Sequence, residues 1–553
     1  MRAARSVMLL RMVVNHKVST SVKPRYTARP HYRHGRSGGH YPGYVWQSPM
    51  VSIRNLQSGI GSAPVATLAL ALVLCVSCTP QSVDFVRIRG PRVALTHVEL
   101  VDGTGQPARL DQSIVVEGDR IVSVGEADST AIPEDAQILD LRGYTVIPGI
   151  VGMHNHLFYA TDGGTRYIPV ARQFAHLYLA AGVTSLRTAG ATDLQSDTDI
   201  KRQIDEGREV GPKIHLTSPY IRHEPNIAGL VAATNAMADL GVKSLKAYTD
   251  VRRDALAAVI GTAHKRGLKV TGHLCAVGFR QAAGLGIDNL EHGLLVDTEF
   301  YSRKVPDECP AWGATLSELA MMTVASPPIQ ETIRDLVAHR VAITSTLALF
   351  DAFARPGSLD ARTESLLTRS ALQGYRRARQ QQLANPTDTG LWQKLLHMEM
   401  EFERGFVSAG GLLMAGADPT GWGGVLAGLG DQRNIELLVE AGFTPAQAIQ
   451  IATANGAQFL GESAAIGTVT PGKRADLAVI RGSLVSDIEN IRNVEIVFKD
   501  GVGYDSAKLM QAEHGKVGET NWRGWVAAGI GLFVLLVLLL RARSLKRRRG
   551  AAP

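Results

Sequence analysis

The stretch VIPGIVGMHNHLFY, Val146 to Tyr159, places two histidines one residue apart at the end of a short apolar run. Side chains of an extended strand alternate between faces, so His154 and His156 project together while Asn155 points to the other side. Pro148 and Gly149 open the strand. Ile150, Val151 and Met153 give it the apolar character of a strand buried on both faces, as in a parallel sheet. Two imidazoles converging on one point suit a metal ion. By itself an H-x-H is equally a chance pair on a surface strand, and the rest of the chain decides between the two.

At 553 residues, 45% apolar and 20% charged, the chain can bury a large core, and one α/β barrel could absorb most of it. Its four cysteines, Cys75, Cys78, Cys275 and Cys309, are too few and too scattered for a disulfide framework or a structural zinc site, so a metal would be held by His and carboxylate. On the exported side Cys275 and Cys309 could oxidise, but Cys275, beside His273, is expected to stay a free thiol. The net charge of +8 belongs to the tails: residues 1–60 carry ten Lys/Arg and residues 541–553 carry six, neither with an acid, which leaves −8 for the body. A mildly acidic body argues against a nucleic-acid partner.

Outward from the His154 strand, residues 93–148 alternate short strands with turn residues, and GTVTPGKRADLAVIRG and IRNVEIVFKDG, within residues 462–505, repeat that texture. A composite β-sandwich built from both flanks is expected. Between them, residues 149–461 alternate apolar strands and amphipathic helices. Gly182–Arg187, Lys213–Ser218, Val242–Tyr248, Lys269–Leu274, Asn289–Gly293, Val341–Thr346 and Leu412–Ala417 bring the strand count to eight. Eight such units predict an α/β fold, a (β/α)8 TIM barrel with its chemistry at the carboxyl ends of the strands.

The ordered motifs PGIVGMHNH, SLKAY, VTGHL, NLEHG and MAGADP, followed by TPAQAIQIATANGAQFLG and IGTVTPGKRADLAVI, resemble the amidohydrolase superfamily of metal-dependent hydrolases, in its imidazolonepropionase-like and dipeptidase-like branch. The resemblance runs from about Val93 to Gly501. It implies two divalent ions, Zn²⁺ by preference: one on His154, His156 and Asp418, the other on His273 and His292, with Lys246 bridging them as a carboxylated lysine. Neutral imidazoles and a hard carboxylate suit zinc, and an unmodified ammonium at Lys246 would repel cations. A pair of cations lowers the pKa of a shared water from ~15.7 towards ~7. Asp418 would take the water's proton and pass it to the leaving amine. The implied reaction is cleavage of an amide-type C–N bond in a small molecule, a dipeptide or N-acyl amino acid. The alternatives are a cyclic amide, lactone or phosphotriester at the same site, or a metal-free scaffold of the same fold.

Taken singly, each of these residues has a plainer reading: His273 as hydrogen-bonded filler, Lys246 as a snorkelling lysine, Asp418 before Pro419 as a turn. Lys243 competes with Lys246, but the two face opposite ways in a strand and only one can enter the barrel. His176, His215, His264, His339 and His397 read as structural. Tyr220 and His223, in SPYIRHEP, sit where a loop could reach substrate. Residues 300–406 exceed compact barrel spacing and are expected to form a lid, a wall or an outer helical layer.

The ends complete the expectations. Residues 1–58 read as a disordered basic leader, and residues 59–78 as a signal peptide or N-terminal anchor ending in a lipoprotein-like Val76-Ser77-Cys78. Residues 525–540 read as a transmembrane helix, followed at 541–553 by a basic cytoplasmic tail. The expected enzyme is membrane-anchored with its catalytic body on the periplasmic or extracellular side; whether it forms a homo-oligomer is left open.

Overall fold

The computed structural model describes residues 84–384 and 386–519 of the chain. Its amino-terminal part is β1 (Val86–Ile88), β2 (Arg92–Leu100), β3 (Arg109–Glu117), β4 (Arg120–Glu126), β5 (Gln137–Asp140) and β6 (Tyr144–Pro148). The barrel begins at β7 (Ile150–Asn155), whose six residues are all buried. After the hairpin β8 (Phe158–Thr161) and β9 (Arg166–Pro169), it continues through β10 (Val183–Thr188), β11 (Lys213–His215), β12 (Thr217–Ile221), β13 (Ser244–Ala247), β14 (Lys269–Gly272), β15 (Asn289–Glu291), β16 (Ala342–Ser345) and β17 (Leu413–Ala415). The chain then returns as β18 (Leu477–Arg481), β19 (Val494–Lys499) and β20 (Val502–Asp505).

The barrel strands are parallel, in the hydrogen-bonded orders β7-β10-β11 and β12-β13-β14-β15-β16-β17. Only Leu216 separates β11 from β12, so together they fill one place, and the barrel has eight. It closes where the Asp418 N–H donates to the His154 carbonyl at 2.8 Å. That closure needs glycine: a Cβ at Gly416 would lie 2.3 Å from the His154 nitrogen.

Strands from both flanks join one sheet of nine. β18 runs antiparallel to β6, pairing Leu477 with Pro148 and Arg481 with Tyr144, and thereby ties the end of the chain to the strand that enters the barrel. The sheet's apolar face buries Val93, Leu95, Ile114, Val479 and Phe498. Successive side chains of a strand point to opposite faces, which puts these on one face, while Ala478, Ile480 and Val497 on the other face pack in separate clusters.

Two expectations are corrected. Among the described residues no helix is long and apolar enough to cross a membrane, so the C-terminal transmembrane helix and the membrane-anchored localisation drawn from it are without support. The segments that carried them, 59–78 and 525–540, lie outside the described residues, as do the leader and the basic tail. Cys275 is not a free thiol: it forms a disulfide with Cys309 across a sequence separation of 34, with Cα atoms 5.0 Å apart. The bond joins the loop after β14 to the segment before helix Trp312–Leu319. Closeness to His273 does not keep Cys275 reduced when the fold brings a second cysteine to the Cα separation that a disulfide spans.

Candidate metal centre

At the carboxyl ends of β7 and β17 the structure brings together His154, His156 and Asp418, each buried and each offering a ligand atom within 4.8 Å of the others. Neighbouring groups orient all three. The His154 Nδ1–H donates to Glu291 Oε2 at 2.7 Å, which leaves Nε2 facing Asp418 Oδ2 at 3.7 Å. The His156 Nδ1–H donates to the Gly190 carbonyl at 3.2 Å, leaving Nε2 3.4 Å from Asp418 Oδ1. An imidazole whose far nitrogen is held by an oxygen presents its remaining lone pair in a fixed direction, the arrangement metal ligands need. Asn155 turns to the other side, accepts from the Ala417 N–H at 3.2 Å and donates to Asp431 at 3.1 Å. It thus ties the end of β7 to the turn that presents Asp418.

His273 and His292 stand beside this group, their ring centres 4.6 Å apart, with His292 4.4 Å from His154. Thr346 Oγ1 pairs with His292 Nδ1 at 2.9 Å. His292 at φ 66° and Asp418 at φ 40° both adopt the left-handed backbone that non-glycine residues avoid. Such strain persists where the surroundings dictate the geometry, and it concentrates at functional sites.

Lys246 is buried, and its Nζ lies 3.4 Å from Glu291 Oε1 without making a hydrogen bond. Lys243 is exposed. Tyr220 pairs with Lys246 across β12 and β13, and its ring meets Tyr248 at 4.8 Å, which in turn meets His273 at 5.2 Å. His223 is exposed beyond the end of β12.

The sequence reading missed Glu291 and Arg187. Both are 0% exposed, and Arg187 Nη2 donates to Glu291 Oε1 at 2.9 Å. Arg187 also donates to Thr271 Oγ1 at 3.1 Å and to the Met153 carbonyl. One carboxylate therefore serves Arg187, Lys246 and His154 from the centre of the barrel. The signal was present in the sequence as two charges inside apolar strands, GVTSLR and NLEHG. Residues of this kind are almost never fully buried unless paired.

Electrostatics follow the packing. Burial alone would raise Glu291, but Arg187, Lys246 and His154 hold it well below the usual carboxylate range. Burial also pushes Asp418 up, and His154, His156 and His292 more than reverse it. Burial brings His154 down to about 4 and His273 to about 3, keeping both in the neutral form that can ligate. It lowers the Lys246 ammonium to about 8 against the pull of Glu291. The donor set of neutral imidazoles with one ionised carboxylate fits a divalent transition ion, and the buried Lys246 Nζ without a hydrogen-bond partner fits a lysine that carries an added group.

Residues 413–503 match the family model described as amidohydrolase family. Imidazolonepropionase from Streptomyces griseus subsp. griseus is 34% identical over 113 residues, which is 20% of this chain and 28% of that protein. The match thus spans less than a third of that curated relative's length. Among solved structures, a Xaa-Pro dipeptidase with bound methionine in the active site superposes with a TM-score of 0.56 at 19% identity, covering 75% of this chain and 100% of the other. Molinate hydrolase superposes at 0.54 and 17% identity, covering 76% and 96%. At these identities the two structures speak for the fold alone. The chain is thus similar to the amidohydrolase family over residues 413–503, and over about three quarters of its length it shares the fold of these two structures.

Proposed function

We propose that the chain is a metal-dependent hydrolase that cleaves an amide-type C–N bond in a dipeptide or N-acyl amino acid. The observation that carries this reading is the convergence of His154, His156 and Asp418, with His154 held by the Glu291–Arg187 pair. These three would hold one divalent ion, Zn²⁺ by preference; His273 and His292 would hold a second, with Lys246 between them as its carbamate. Bound there, such ions make water acidic enough to ionise near neutral pH and polarise a carbonyl oxygen.

The chain's own residues do the rest. Asp418, ionised in the buried site, accepts the proton of the attacking water at a carboxylate oxygen and returns it to the leaving nitrogen, so acid and base are one group used twice. Glu291 keeps the proton of His154 on Nδ1. Tyr220, near the end of β12, and His223, just beyond it, would line the substrate's approach. Arg222 stands between them with its guanidinium 4.5 Å over the Tyr248 ring, and among the described residues no carboxylate comes within ion-pair distance of it. It is suited to the free carboxylate of a dipeptide or N-acyl amino acid.

The test is a panel of dipeptides, N-acyl amino acids and a cyclic amide offered to Zn²⁺-loaded protein. Turnover that a chelator abolishes and added Zn²⁺ restores is the expected result. A protein that holds its metal and turns over none of them contradicts the reading.

A further inference from the structure

A line of aromatic rings runs outward from the metal centre, from the helices inserted after β16 to Trp312 on the helix before that strand and Trp422 on the turn after β17. It begins at Phe350, on helix Leu347–Ala354, whose ring centre lies 6.3 Å from that of His292. Phe350 stacks on Trp392, from helix Pro386–Ser408, at 6.1 Å and 18°. Trp392 also meets Phe353 at 4.9 Å and Trp312 at 5.4 Å, and Phe353 meets Trp422 at 4.5 Å.

Exposure rises along the line. Phe350 is buried, Trp392, Phe353 and Trp422 are half-buried, and Trp312 is 49% exposed. Rings that only filled a core would be covered; here the covered ring abuts His292 and the rings beyond it keep part of their faces open.

Charge is kept off the wall. Asp351, on the same helix as Phe350 and Phe353, is engaged by Arg433 at 3.0 Å and Arg355 at 3.2 Å. Trp422 is fixed where it stands, at φ 56° beside Gly423, whose carbonyl accepts from the Tyr159 hydroxyl at 3.1 Å. A left-handed backbone is costly for so bulky a residue and is kept only under constraint. Trp422 also borders the Asp162–Gly164 turn, since a Cβ at Gly164 would lie 3.7 Å from its Cδ1. The wall therefore spans from the second metal's side of the site to the hairpin on the first metal's side.

Resting on the amide-hydrolase reading, we infer that this wall selects the substrate: it receives a bulky apolar group, an aromatic or branched aliphatic side chain adjoining the scissile amide. A single extra methylene in an apolar pocket discriminates by roughly 10–200-fold, so a whole apolar side chain against these rings should give at least the lower end of that range. Phe350, which touches His292, positions that ligand as well and is left intact in the test.

The test compares N-acetyl-L-phenylalanine with N-acetylglycine on the Zn²⁺-loaded full chain. A kcat/KM for the phenylalanine substrate at least about tenfold higher is expected. Trp392→Ala and Phe353→Ala should remove most of that advantage through KM and change the glycine substrate by less than about twofold, whereas Trp392→Phe should keep it. Equal kcat/KM for the two substrates, or variants that slow both alike, would overturn the inference. If neither substrate is hydrolysed, the amide reading fails by itself and binding decides for the wall. N-acetyl-L-phenylalanine should then change the tryptophan fluorescence saturably, N-acetylglycine should not, and Trp392→Ala should abolish the change. Absence of any saturable change overturns the wall too.

Discussion

The two sides of the metal centre differ in how completely the chain itself holds them. On the side of β7 and β17, His154, His156 and Asp418 are oriented by Glu291, Gly190 and the barrel closure, and their ligand atoms already lie within 4.8 Å of one another. On the side of β13, β14 and β15, Lys246 points at Glu291 without a hydrogen bond, and His273 is half-buried between the rings of Tyr248 and His292. The first side is a preformed ligand set. On the second, a carbamate on Lys246 would supply the acceptor that joins Lys246 to His273 and His292 under the proposed reading. A centre built this way should lose function abruptly when the first side is touched and in graded steps when the second is.

The largest effect is expected at Asp418. Asp418→Asn keeps the shape and removes the base, so kcat should fall by about 10²–10⁴ while part of the metal remains. Full activity in the Asn variant would remove Asp418 from the proton path. Next comes Glu291→Gln, which strips the charge shared by Arg187, Lys246 and His154. Breaking a buried pair from one partner costs about 3–5 kcal/mol of stability, and loss of the group behind a metal-binding histidine costs about 10–100-fold in metal affinity. Denaturant unfolding and metal titration read the two effects separately, and a variant as stable as the parent would mean that the pair is not the barrel's central tie.

The third step sharpens the comparison. Lys246→Ala should release the ion on the side of β14 and β15 and keep the one on His154, His156 and Asp418, with short carboxylates in the medium restoring part of the activity. Unchanged metal content and turnover in this variant would leave a single-ion site. The smallest effect is expected at Lys243→Ala, which removes an exposed side chain and should shift stability by no more than about 0.5 kcal/mol and leave turnover unaltered.

Both sides could be read from the sequence to different depths. His154 and His156 announce themselves through local pattern, an alternating pair on an apolar strand, whereas Asp418 reads locally as a turn before Pro419 and stood out only through the resemblance of MAGADP to the family's motif. The order of strands could be read for the same reason, because buried parallel strands are continuous apolar runs. Arg187 and Glu291 could not be paired from sequence, since they lie 104 positions apart and meet only when β10 and β15 face each other across the barrel. The Cys275–Cys309 bond was misread for a related reason: proximity to His273 in sequence said nothing about what the loop before Trp312 brings near. The transmembrane reading rested on an apolar run with a basic tail, and no helix among the described residues bears it out.

The most direct test of the account is the metal content of purified protein after loading with Zn²⁺ and removal of the excess, measured on the parent, His156→Ala and Lys246→Ala side by side. The account predicts two ions in the parent, one in Lys246→Ala, and loss of the tightly held ion in His156→Ala. A parent chain that retains no divalent ion, or a His156→Ala variant that retains as much as the parent, would contradict it.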